Sequence, residues 1–230
     1  MFRHRSNTKE LLDGENIPTN DLYQNLKELN TINKLLGGYA ISFNALKKIL
    51  TKNKSYTLVD IGCGGGDTLR QIQSWNKKKN YQLNLAGIDL KQTCIDYSLK
   101  NNNSEIKFIC DDYKNTLNHI SKIDILHACL FCHHLSETQI IELIQFCKYN
   151  KIILVINDLE RNPIAYYSIK FLTQLFSKSY LVKNDAPLSV LRGFKKSEWL
   201  NIIKQSGAVN FTLNYRWAFR HEIIIYANGN

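Results

Sequence analysis

Two periods of apolar residues alternate along this chain. Leu22, Leu26, Leu29, Ile32 and Leu35-Leu36 recur at helical spacing, Thr19-Asn20-Asp21 offers a helix start, and Gly37-Gly38 breaks the stripe. A second helix is predicted over residues 39–50, followed by a loop over 51–55. Short apolar runs of strand length then follow at 56–61, 83–88, 106–109, 123–130, 151–156, 209–215 and 222–226. Most are separated by helical patterns: 68–75 with Leu69, Ile72 and Trp75 on one side, a helix around Ile95 and Leu99, and 137–149, with 197–206 ahead of the last two runs. Strands alternating with helices predict an α/β protein built on a doubly wound, seven-stranded, mostly parallel Rossmann-like sheet. Residues 1–18 read as a loose arm, so 1–50 are expected to form an arm and helical cap and 51–230 the main domain.

An insertion of about 160–196 interrupts the pattern after the fifth strand. It opens on Arg161-Asn162-Pro163, where proline suits a first helical turn. The helix behind it carries Ile164, Tyr166, Tyr167, Ile169, Phe171, Leu172, Leu175 and Phe176, more apolar surface than one sheet face uses. A lid over an apolar substrate, a dimer face and core all fit it; for any single residue core or dimer is favoured.

Composition narrows the class. The chain has 230 residues, 44% hydrophobic and 22% charged, which suits one folded domain. No apolar stretch is long enough to span a bilayer, and residues 1–13 carry no secretory apolar segment. The six cysteines (63, 94, 110, 129, 132, 147) fall inside predicted elements rather than in a disulfide framework, so a reducing cytoplasm is expected. The net charge of +10 raises the question of nucleic acid. The basic residues are dispersed, however, and the densest run, Lys77-Lys78-Lys79, falls in a predicted loop. A solvated basic surface is the expectation.

The candidate chemistry starts at the first strand. It ends in Asp60-Ile61 and runs into Gly62-Cys63-Gly64-Gly65-Gly66-Asp67, with a helix behind. Such a turn lets a ligand approach backbone with no Cβ in the way, and the helix offers free N–H groups. A dinucleotide fingerprint needs glycine where Asp67 stands. An acid there would repel a pyrophosphate but can sit beside a cationic cofactor. Taken alone, the turn leaves a dinucleotide, S-adenosylmethionine and an ordinary tight turn open. Ligands of open α/β sheets sit beyond the carboxyl ends of the strands, and the acids collect there. Asp89 closes the second strand, placed to accept from two ribose hydroxyls. Asp111 follows the third strand and can accept from an adenine amino group, with the Asp112 N–H on a ring nitrogen.

With these residues in view, 56–67, Asp89 and 111–113 resemble the cofactor motifs of class I S-adenosylmethionine-dependent methyltransferases, over roughly residues 20–227. The resemblance implies S-adenosylmethionine held by Asp60, Gly62, Cys63, Gly64, Gly66, Asp89, Leu90, Asp111, Asp112 and Leu130. Residues 26–38, 158–161 and 185–194 are similar to bacterial small-molecule methyltransferases of the polyketide, phenol and quinone type, a subgroup that acts on phenolic oxygens. The Asn/Asp-Pro-Pro-aromatic motif of amino-methyltransferases is missing after the fourth strand, which ends Cys129-Leu130-Phe131-Cys132-His133-His134.

That strand end also matches a haem-attachment pattern, and its two cysteines and two histidines are potential zinc ligands. Neither reading is favoured, since covalent haem needs export and adjacent residues on one strand end do not easily close a tetrahedron; no metal is expected. A phenol needs to lose a proton, and histidine is the side chain poised for that near neutral pH. His134, or failing that His133, is the expected base; the competing reading has one of them capping a helix and the other in solvent. Arg161, Tyr166 and Arg192 are candidates for the acceptor pocket, with Asp158–Arg161 and Asp185–Arg192 as competing structural ion pairs. The expected activity is therefore methylation of a small aromatic or phenolic acceptor by a monomer or homodimer in the cytoplasm, without nucleic acid or membrane partner. The alternatives are a tRNA or rRNA methyltransferase and a non-catalytic S-adenosylmethionine-binding module.

Overall fold

A computed structural model describes residues 2–102 and 106–227. Seven strands form one sheet: β1 Ser55–Ile61, β2 Gln82–Asp89, β3 Ile106–Cys110, β4 Ile125–Cys129, β5 Ile153–Leu159, β6 Phe211–Arg216 and β7 Arg220–Ile225. Their order is β3-β2-β1-β4-β5-β7-β6. The first five are parallel, and β7 runs antiparallel between β5 and β6. The doubly wound, mostly parallel sheet read from the sequence is the observed one.

Period-two alternation divides each buried strand between two cores. Leu58, Leu85, Ile125, Val155 and Ile224 face one side. There they meet α2 (Gly38–Ile49), α3 (Asp67–Lys79) and α4 (Gln92–Lys100) through Ala45, Leu46, Leu69, Ile72, Trp75 and Ile95. Val59, Ala86, Leu126, Leu154 and Ile223 face the other. They pack on α6 (Glu137–Tyr149) and α9 (Lys196–Gln205) through Ile140, Ile144, Trp199 and Ile202, with the one-turn α5 (Thr116–His119) nearby. The N-terminal α1 (Thr19–Leu35) begins where the sequence places its start.

The structure corrects several expectations. Residues 2–18 are not loose. Ser6 N–H donates to Leu191 O at 3.0 Å, Arg161 Nε to Phe2 O at 3.2 Å, and the N–H groups of Leu11 and Leu12 donate to Asp185 at 2.8 Å each. The arm reads as solvated because it is polar, but its partners are buried polar side chains. Met1 and residues 103–105 and 228–230 lie outside the described residues. Lys77-Lys78-Lys79 form the last turn of α3 rather than a loop. There three cations face the negative end of the helix.

The insertion holds two helices, α7 (Pro163–Phe176) and α8 (Tyr180–Arg192). The second escaped prediction because Pro187 stands inside it; Leu181, Val182 and Val190 bury its inner face. Of α7 only Tyr166 and Thr173 are buried, while Ile164, Tyr167, Phe171, Leu175 and Phe176 are exposed, so most of its apolar surface is not core. β5 runs on to Leu159, which puts Asn157 and Asp158 inside the strand and not beyond it. Pairing with β7 carries the strand on, Asp158 opposite His221 and Leu159 opposite Arg220. The polar side chains are satisfied internally: Asn157 Nδ2 donates to Gly38 O at 2.9 Å, and Asp158 accepts from His133.

Candidate active site

The carboxyl ends of β1, β2 and β4 open on one cleft of about 440 Å³. The glycine turn forms its floor. Gly62 and Gly64 sit at φ of +63° and +51°, in the left-handed region. A Cβ on Gly62 would lie 2.2 Å from Phe131 Cδ2, whereas one on Gly64 would meet nothing closer than Leu26 at 3.7 Å. The turn is thus closed on the protein side at Gly62 and open toward the cleft at Gly64. Gly66 caps the N-terminus of α3, whose first N–H groups point the same way.

Each acid is held for a physical reason. Asp89 Oδ2 accepts from Gly64 N–H at 2.8 Å and Oδ1 from Lys91 N–H at 2.9 Å, which ties the end of β2 to the glycine turn. Burial raises its pKa against those two donors. Asp60 lies 2.7 Å from His127 Nδ1, and His127 Nε2 is 2.9 Å from Ser42 Oγ, a buried relay under the turn. Asp67, raised by burial, accepts from Tyr39 Oη at 2.5 Å. Asp111 Oδ2 lies 2.6 Å from His119 Nε2, and this contact leads the causes that lower its pKa.

The Asp112 N–H, expected on an adenine nitrogen, donates instead to Asp111 Oδ1 at 2.7 Å. Leu90, largely exposed, supplies an apolar surface at the cleft edge. Leu130 also lines it, at φ +54°, a left-handed conformation uncommon for a bulky residue and held where β4 turns over the glycines. All ten residues expected to hold the cofactor line this cleft except Gly66, which shapes the turn behind it.

Among the described residues the cleft is acidic in a chain of net charge +10: Asp13, Asp60, Asp67, Asp89, Asp111 and Asp112 line it against one lysine, Lys91. Field lines focus in such a cleft and favour a cation over a pyrophosphate. Residues 58–149 match the methyltransferase domain family. That segment runs from β1 to the end of α6 and includes the glycine turn, Asp89, Asp111 and the two histidines. The cofactor is S-adenosylmethionine. The residues present fit it: acids for a sulfonium, an open Gly64 face, and a carboxylate at the end of β2.

Solved methyltransferases share the fold. The plantazolicin methyltransferase BpumL in complex with SAH is 18% identical, with 91% of this chain and 95% of that chain covered and a TM-score of 0.63. A SAM-dependent methyltransferase from Aquifex aeolicus is 14% identical over 93% and 100% of the two chains, with a TM-score of 0.59. The citrinin polyketide synthase CMeT domain is 13% identical over 80% and 50%, with a TM-score of 0.56. At these identities the likeness is one of fold. No curated relative matches the chain by sequence.

Beyond the cofactor floor, the domain's cleft has a second wall. Leu12, Leu26, Leu29, Tyr113, Phe131 and Leu135 make it largely apolar, and Asp13, Asn33 and His134 are its polar members. Leu12 and Asp13 come from the arm, which is why sequence reasoning missed them.

The two histidines part company here. His133 is buried off the lining, its Nδ1 2.7 Å from Asp158 Oδ1 and its Nε2 3.6 Å from Glu10 Oε1. His134 stands on the lining with Nδ1 3.1 Å from Asp13 Oδ1, in ion-pair reach without hydrogen-bond alignment, and Nε2 3.9 Å from Glu10 Oε2. Burial raises the Asp13 pKa, but His134, the Glu10 N–H and Arg192 outweigh it and bring it down to about 2.

The residues expected in an acceptor pocket are elsewhere. Arg161 is buried, donating to Gly193 O at 2.7 Å and paired with Glu198. Arg192 donates to the carbonyls of Thr8, His133 and His134 at 2.9–3.2 Å. Tyr166 packs under the Phe2 ring at 5.5 Å. None of the three lines the cleft. The expected pairs Asp158–Arg161 and Asp185–Arg192 are replaced by Asp158–His133, Arg161–Glu198 and Arg192–Asp13. Cys129 lines the cleft and Cys132 packs in the core, both as free thiols.

Proposed function

We propose that this protein transfers a methyl group from S-adenosylmethionine to an oxygen of a small aromatic acceptor. The observation that carries the reading is one cleft lined both by acids and by an apolar set, Leu12, Leu26, Leu29, Phe131 and Leu135, with Asp13, Asn33 and His134 as the polar residues contributed beside that set. The floor suits a cationic cofactor. The wall suits a flat, apolar molecule with one ionisable group, and Tyr113 and Phe131, ring centroids 5.3 Å apart, offer it aromatic edges. The acids that line the cleft oppose a phosphodiester backbone, which disfavours RNA as acceptor.

When bound, the cofactor supplies an electrophilic methyl on sulfur. The chain's own contribution is alignment and removal of the acceptor proton. Gly64 and Asp89 would hold the cofactor, and Leu26 and Phe131 would hold the acceptor against it. His134 would take the hydroxyl proton of the acceptor as its oxygen is methylated. Asp13, 3.1 Å from Nδ1, would offset the positive charge that the imidazole gains.

His134→Gln is expected to lower kcat by about 100-fold or more with a phenolic acceptor, since general-base assistance contributes roughly 10²–10⁴. Affinity for S-adenosylmethionine should be unchanged, because His134 is absent from the glycine turn. Steady-state turnover and calorimetry on the same preparation read both. Unchanged turnover would remove His134 from the mechanism.

A further inference from the structure

The geometry points to a binding site for one divalent transition-metal ion of the zinc class, formed by Glu10, His133 and His134. It goes beyond methyl transfer and does not depend on the acceptor. One ligand atom from each of the three residues lies within 4.8 Å of the others. The two imidazole Nε2 atoms converge on the Glu10 carboxylate at 3.6 and 3.9 Å. Those separations are too long for hydrogen bonds. They are close to the spacing of about 3.4 Å between ligands that share a tetrahedral zinc at about 2.1 Å.

The surroundings are those of a ligand set. Behind each imidazole a carboxylate faces Nδ1: Asp158 at 2.7 Å for His133 and Asp13 at 3.1 Å for His134. The Asp158 hydrogen bond fixes the Nδ1–H tautomer of His133 and turns its Nε2 lone pair toward a metal, while Asp13 faces His134 through charge alone. Ser189 Oγ donates to Glu10 Oε1 at 2.8 Å and holds the third ligand.

Charge agrees. Glu10, Asp13, Asp158 and Asp185 surround the site against Arg5 and Arg192, two negative charges in excess. Arg192 Nε, 3.9 Å from Glu10 Oε1, is the nearest opposing charge, and its guanidinium is already engaged by three carbonyls and Asp13. Two imidazoles and one carboxylate select zinc, cobalt or nickel over magnesium or calcium. This set is distinct from the one in the sequence pattern: it takes its third ligand from the arm and leaves out Cys129 and Cys132. A metal ion and the acceptor's proton exclude each other on His134 Nε2, so they define alternative states of that nitrogen.

The test uses the full chain after chelator treatment. Zinc chloride is titrated by calorimetry, and cobalt chloride is followed by absorption. Expected are one zinc per chain and a cobalt spectrum with d–d bands but no thiolate charge-transfer band. Glu10→Gln should weaken zinc by about 100-fold or more and Asp158→Asn by about tenfold, the latter because it only orients a ligand. Melting temperature and S-adenosylmethionine binding report whether each variant is folded. If Glu10→Gln fails to fold, the wild-type cobalt spectrum still decides. No stoichiometric zinc, equal zinc affinity in folded Glu10→Gln, or a thiolate band placing the ion on cysteine would each overturn the site.

Discussion

Asp89→Ala should lower affinity for S-adenosylmethionine by about 100-fold. Asp89 acts twice. Its carboxylate accepts the N–H groups of Gly64 and Lys91 and so joins the glycine turn to the end of β2. It is also the acid at the second strand end, where ribose hydroxyls are expected. Hydrogen bonds to a charged acceptor contribute about 1.5–3 kcal/mol each, and 2.7 kcal/mol is about a hundredfold in binding. Asp89→Asn keeps one acceptor and should fall between wild type and alanine. Calorimetry gives the order directly, and an alanine variant with wild-type affinity would detach Asp89 from the cofactor.

Arg192→Met should destabilise the fold by about 3 kcal/mol, the low end of what breaking a buried charge pair costs. For a chain of this size that is a melting-temperature drop on the order of 10 °C. Arg192 bonds the carbonyls of Thr8, His133 and His134 and pairs with Asp13 at 3.3 Å. Methionine fills the space but leaves the Thr8 and His134 carbonyls and the Asp13 and Glu10 carboxylates without this guanidinium, while Arg5 still donates to the His133 carbonyl. The arm should then become protease-sensitive at temperatures where the sheet is intact. A variant that melts with wild type would show that the arm is held by other contacts.

These two residues also mark how far the sequence could be read. Asp89 was legible because a strand-length apolar run ends in it, behind a glycine turn at a fixed distance. The sheet was legible for a related reason: Leu58 and Val59 face opposite cores, so a strand buried on both faces reads as a continuous apolar run. Arg192 was misread. A charged residue in an aromatic insertion suggests an acceptor site, but this one faces inward to satisfy backbone carbonyls left free where the arm crosses the strand ends. Arg161 does the same for Gly193 and Phe2.

The arm escaped for a related reason. Its contacts are hydrogen bonds to Asp185 and Arg192 from more than 170 positions away in sequence, and no local periodicity records them. Without the arm, Leu12 and Asp13 could not be placed on the acceptor wall, nor Glu10 between the histidines. Pro187 hid α8, and pairing with β7 carried β5 past its apparent end at Ile156.

The account comes down to what the cleft methylates. The protein, S-adenosylmethionine and a mixed panel of phenols, hydroquinones and RNA can be incubated together, and every component read by mass. The account predicts a gain of one methyl on a small aromatic hydroxyl, lost in Asp89→Ala and His134→Gln, with RNA unchanged. Methyl appearing on RNA with a steep dependence on salt, or on no component while S-adenosylmethionine is bound, would contradict it.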